Sequence, residues 1–128
     1  MSTELFYLVA VALLTAVIWV PYALNYIVAG GLMNAVGPHA DIDNMAAWAV
    51  RMKKAHANAI ENLVVFAPLV LAVHVAGVSN ETTALACMVF FWARVAHLVT
   101  YTLGIPWVRT LAFAAGFVCQ VTLALQVL

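Results

Sequence analysis

The segment RMKKAHANAIENLVVFAPLVLAVHVA, residues 51–76, decides how this chain is read. Ionisable and amide groups crowd its first half, Arg51 to Asn62, and an almost wholly apolar run follows. At the α-helical step of about 100° per residue, Arg51, Lys54, Asn58 and Glu61 fall at roughly 0°, −60°, −20° and −80°, one face under about 100° wide. Lys53 and His56 point elsewhere. Extended back to Met45, the helix covers residues 45–76, too long at 1.5 Å per residue for a hydrocarbon layer of roughly 30 Å. Its first turns therefore project into headgroups or solvent.

The rest of the chain sets this segment in a membrane. Of 128 residues, 67% are hydrophobic and 8% charged, with a mean hydropathy of +1.07, far outside the range of soluble domains. A formal net charge of zero leaves no basic patch large enough for nucleic acid. The amino end lacks a positive leader region, and its apolar run from Leu5 to Val28 exceeds a signal-peptide core, so it reads as a retained first span. The expectation is an all-α integral membrane four-helix bundle forming a single domain, with spans at residues 5–29, 45–76, 82–103 and 107–128. Pro21 and Pro68 are expected kinks. Gly30-Gly31, Gly77 and Gly104-Ile105-Pro106 punctuate the spans, and Asp43 or Asn44 is placed to cap the second.

Smaller features read as follows. Trp19, Tyr22 and Tyr26 suit the headgroup layer, and so does His74 at the far end of its span. Asn25 needs a partner, which is either a neighbouring helix or a wet site. Cys87 and Cys119 stand alone in apolar segments without metal-ligand spacing, which indicates neither a zinc site nor a disulfide. The sequon at Asn80-Glu81-Thr82 lies too close to the bilayer to be glycosylated and reads as chance.

Four spans place both termini and the turn at residues 77–81 on one side, with the loop at residues 30–48 and the turn at residues 104–106 on the other. Arg51, Lys53, Lys54 and Arg109 lie on the second side and Arg94 nearer to it, while the first shows only Glu4 and Glu81. The positive-inside rule then makes the long loop cytoplasmic and both termini exterior or lumenal.

A charge within a span costs about 2.5–3.5 kcal/mol on insertion scales and must find a partner or a wet cavity. Glu61 lies near mid-membrane depth. On the third span Arg94, His97 and Tyr101 follow the i, i+3, i+7 rule and form a second polar stripe, with Arg94 the expected counter-charge of Glu61. That pair alone is also what a structural pin between two helices would need. The full set of Arg51, Lys54, Asn58, His97, Tyr101 and Arg109 exceeds a pin and suits a small ligand with several carboxylates.

The run R-x-x-K-A-H-x-N-x-x-E-N at Arg51 to Asn62, then R-V-A-H-x-x-x-Y at Arg94 to Tyr101 and P-x-x-R-T at Pro106 to Thr110, resembles the MAPEG family, the membrane-associated proteins of eicosanoid and glutathione metabolism, in its short bacterial-type form. The resemblance spans nearly the whole chain. It implies a homotrimer with glutathione, as co-substrate, in a cytoplasm-facing crevice between subunits. By the same resemblance Arg51, Lys54, Asn58 and Glu61 hold the tripeptide together with His97 and Tyr101, Arg94 is a buried partner, and Arg109 stabilises the thiolate. The implied activity is a glutathione-dependent transferase or peroxidase acting on lipophilic small molecules from the bilayer.

Two positions depart from the family's pattern. Ala57 stands where several active members carry an Arg, and Phe113 where some carry a Tyr. They keep open a catalytically silent binding or scaffold protein. A small proton-coupled exporter using Glu61 is the further alternative, although exporters of this size carry their Glu on the first span, without surrounding cations.

Overall fold

The computed structural model describes residues 1–36 and 45–128. The first span comprises α1, Thr3–Val17, and α2, Trp19–Gly30, followed by the short α3, Leu32–Ala35. The remaining spans are α4, Ala47–Ala76; α5, Glu81–Leu103; and α6, Pro106–Val127. Four helical segments are thus long and apolar enough to cross a membrane, and no strand occurs among the described residues. Their bounds agree with the expected spans to within two residues at each end.

The local causes are those of ordinary helix chemistry. Pro21 has no N–H to donate to the carbonyl of Val17, four residues back. The break between α1 and α2 accordingly falls at Ile18, which keeps right-handed helical angles, so the span bends without ending. The helix α4 runs through Pro68 as one element. Gly77 and Gly104 close α4 and α5 with φ of 69° and 79°, where a Cβ is disfavoured. At the start of α5 Asn80 and Thr83 form a reciprocal capping box. Asn80 thus has a local structural role of its own, its amide oxygen accepting from the Thr83 N–H to cap α5.

Asp43 and Asn44, the expected caps of the second span, lie outside the described residues. Ala46 stands at the N-cap of α4 and has no capping side chain of its own. Its N–H donates instead to Oδ1 of Asn25 on α2, at 2.9 Å. Of the two readings open for Asn25, contact with a neighbouring segment is the one found.

The bundle is held apolar in the middle and polar at its two ends. Val11, Phe66, Val70, Val73, Ala86, Cys87, Phe90, Cys119 and Leu123 form the core. Phe66 and Phe90 stack face to face with centroids 3.9 Å apart, joining α4 to α5. Both cysteines are free and buried here. At the end that carries the termini, Glu4 is 2% exposed and its Oε1 accepts from Ser79 Oγ at 2.7 Å and Thr83 Oγ1 at 2.8 Å. Asn80 Nδ2 reaches Gln126 Oε1 on α6 at 3.0 Å. Large apolar side chains such as Val64, Leu71, Phe117 and Leu125 point outward. In water they would be a liability; facing lipid, they are the surface such a bundle requires.

Candidate functional site

At the end opposite the termini the polar residues of α4, α5 and α6 come together. Arg51, in the second turn of α4, donates from Nε to the carbonyl of Thr102 at 2.9 Å, and its side chain lies over Gly104. It is thereby fixed against the end of α5. Next to Thr102, Tyr101 lies under the guanidinium of Arg109, whose Cζ is 4.6 Å from the ring centroid. This cation–π contact joins the first turn of α6 to the last turns of α5. One turn deeper, His97 is buried, 5.5 Å from Tyr101 and 6.4 Å from Phe113, measured between ring centroids.

Arg94 lies deeper still, only 3% exposed. Its expected partner was Glu61, and here the structure corrects the sequence. Arg94 Nη2 donates to Asn58 Oδ1 at 2.8 Å and approaches His97 Nδ1 at 3.4 Å. Glu61 makes no salt bridge with it and is exposed on α4. The physical reason is angular. Along α4 Asn58 and Glu61 differ by roughly 60° of helix rotation, enough for Asn58 to turn to α5 while Glu61 faces away from the bundle. An uncharged amide serves the buried guanidinium, and the carboxylate of Glu61 is exposed on the outer side of α4.

The amide of Asn58 is oriented by its neighbours. Arginine has only donors, so the atom facing Arg94 must be the oxygen. Asn62 Nδ2 also donates to Asn58, to Oδ1 at 3.2 Å and to the backbone carbonyl at 2.9 Å. With Oδ1 accepting twice, Nδ2 of Asn58 is the group that remains to donate elsewhere. Arg94 Nη2 also lies 3.4 Å from His97 Nδ1, a long contact beside the 2.8 Å bond to Asn58. Gln120, buried on α6, extends the network by directing Nε2 at the Asn62 carbonyl at 3.3 Å. Two further nitrogens of Arg94, Nε and Nη1, are buried without an acceptor.

Of the residues singled out from the sequence, Arg51, Asn58, Arg94, His97, Tyr101 and Arg109 thus form one connected set. Lys54 and Glu61 share the stripe but stand exposed on its outer side. Gln120 and Asn62 were missed as members of the network. The signal was available for Gln120: it is an amide in the otherwise apolar run from Leu111 to Val121, and an amide within a span needs a partner. His56, off the stripe, pairs with the Tyr22 hydroxyl of α2 through Nδ1 at 2.8 Å.

Four apolar spans around a buried polar seam, opening onto the outer face of one helix, define an integral, multi-pass membrane protein. A model of the MAPEG family matches residues 5–128, essentially the entire chain, and the chain belongs to that family. No curated protein matches it.

Proposed function

We propose that this protein is a glutathione-dependent membrane enzyme of the transferase or peroxidase kind, acting on lipophilic electrophiles. The observation that carries the reading is Glu61, a carboxylate halfway along α4 on the outer face of the single chain. Left to lipid at that depth, it would cost about 2.5–3.5 kcal/mol. A second copy of the chain packed against α4, with a hydrophilic ligand in the seam, relieves that cost. A homotrimer with its crevices between subunits is the assembly this reading adopts, and the bias of Arg and Lys turns the crevices to the cytoplasm.

Within such a crevice each side chain has a role that its chemistry suits. Arg51 and Lys54 offset the two carboxylates of glutathione, and Nδ2 of Asn58 donates to a carbonyl or carboxylate oxygen. Glu61 accepts from the α-ammonium. His97 and Tyr101 bound the pocket beside Arg94, whose unused donors favour an anionic neighbour. Arg109 stands beside the sulfur. A free thiol with a pKa near 8.5 is only a few per cent thiolate at pH 7, and an adjacent guanidinium favours the ionised form. The thiolate then attacks the electrophilic carbon, forming the thioether as the leaving group departs with the bonding pair.

Detergent-purified protein should conjugate glutathione to a model electrophile and show thiolate absorbance on adding glutathione. Arg109→Ala should lower the conjugation rate about a hundredfold or more, the scale of a lost electrostatic stabiliser, with the oligomer unchanged. Absence of both conjugation and thiolate signal in the wild type would sink the enzyme reading.

A second reading, a silent binding protein, draws on Ala57, exposed where an additional cation would reach a ligand, and on Phe113, which packs near His97 without a hydroxyl to offer. Glutathione binding without turnover across a broad electrophile panel would select it. Against the exporter reading stand the cations Arg51 and Lys54, which share the stripe of α4 with Glu61.

A further inference from the structure

On another side of α4 a separate cavity of about 180 Å³ is lined by Tyr22, Ala23, Tyr26, Met45 and Lys53. None of these residues belongs to the candidate glutathione site. We infer that it is a binding site for the phosphate headgroup of an anionic phospholipid, held by the Lys53 ammonium.

Depth is the first argument. The helix α4 has 30 residues, and Lys53 lies about 13 Å from its midpoint by helix rise, close to the roughly 15 Å half-thickness of the hydrocarbon layer. A lysine there carries its charge to the phosphate level on its flexible stem.

The face on which the cavity is built is the second argument. Trp19, Tyr22, Ala23 and Tyr26 recur at i, i+3, i+4 and i+7, a single stripe along α2. The Tyr22 hydroxyl is anchored to His56 of α4, which holds the two walls together at the level of the cavity. Trp19 continues the stripe towards the membrane interior and is exposed, so an acyl chain descending from the cavity meets an apolar surface. Headgroup and tail thus have contiguous partners of matching polarity.

Size is the third. A volume of 180 Å³ holds several waters at ~30 Å³ each and falls below the ~300 Å³ from which pockets for drug-sized ligands start. It suits a phosphate with part of its glycerol better than a tripeptide. Lys53 is exposed and is the one cationic side chain lining this cavity among the described residues.

Native mass spectrometry on the full-length protein, in detergent supplemented with phosphatidylglycerol or phosphatidylcholine, tests the assignment. The wild type should retain phosphatidylglycerol in preference to phosphatidylcholine. Lys53→Gln should weaken that retention about fivefold, the effect of one basic residue at an anionic surface. Lys53→Arg should keep it, and so should Lys54→Gln, which removes the adjacent charge on a different face. Equal retention of both lipids by the wild type, or equal losses in Lys53→Gln and Lys54→Gln, would overturn the site in favour of diffuse attraction. Excess inorganic phosphate should leave the lipid adducts intact; displacement by it would make this a soluble-anion site and refute the lipid assignment. Glutathione conjugation is read in none of these arms, so the outcome stands apart from the fate of the enzyme reading.

Discussion

Removing Asn58 tests whether an amide, rather than a carboxylate, neutralises the demands of the buried guanidinium. In Asn58→Ala, Arg94 Nη2 loses its 2.8 Å acceptor and keeps only the 3.4 Å approach to His97, which is outside good hydrogen-bond range. Nε and Nη1 have no acceptor to begin with. A hydrogen bond to a charged group is worth about 1.5–3 kcal/mol, and at 3% exposure little water is present to replace it. The expected loss is therefore about 2–3 kcal/mol, well above the ~0.6 kcal/mol average of interhelical polar contacts in a membrane bundle. Arg94→Met removes the other partner, and the double variant leaves no charge stranded. The pair should show a coupling of at least ~1.5 kcal/mol in a double-mutant cycle. Equilibrium unfolding in mixed micelles, followed by far-ultraviolet circular dichroism, measures all three variants on one scale. Additivity to within ~0.5 kcal/mol would refute the pairing.

Substitutions at four other positions probe the scaffold. At Gly104, φ is +79° and an added Cβ would lie 3.3 Å from Arg51 Nε, so Gly104→Ala should cost about 1–2 kcal/mol and displace Arg51, weakening glutathione binding in calorimetric titration. Gly77→Ala meets no neighbour within 4 Å and should show the strain without the binding loss. Phe66→Ala empties a fully buried ring site stacked on Phe90 and should cost about 3–5 kcal/mol in the same unfolding assay. Asn80→Ala should cost about 1 kcal/mol through loss of the cap on α5, and Asn80→Asp should recover most of it.

Much of the architecture was legible in the residues alone, because a bilayer reduces the possibilities. Backbone groups in lipid must bond within their own helix, so a long apolar run translates directly into a span. Glycine and proline then mark the ends: Gly31, Gly77 and Gly104 take positive φ where the helices stop, and Pro106 opens α6. The polar stripe of α4 was equally readable, since helical periodicity alone places Arg51, Lys54, Asn58 and Glu61 on one face.

Partnership was another matter, because it depends on how helices rotate about their own axes and how deeply their side chains meet. Periodicity puts Asn58 and Glu61 on the same face and cannot say which of them turns to Arg94. The packing of α4 against α5, set by rings such as Phe66 and Phe90, gives the contact to Asn58 and leaves Glu61 outside. The same holds for Glu4: in sequence it is a charge near one terminus, and only the fold buries it between Ser79 and Thr83. Hydropathy and spacing therefore determined the membrane, the spans and the polar face. The tertiary structure decided the pairing across helices, because directional hydrogen bonds at 2.7–2.8 Å form only between groups that packing has already brought together.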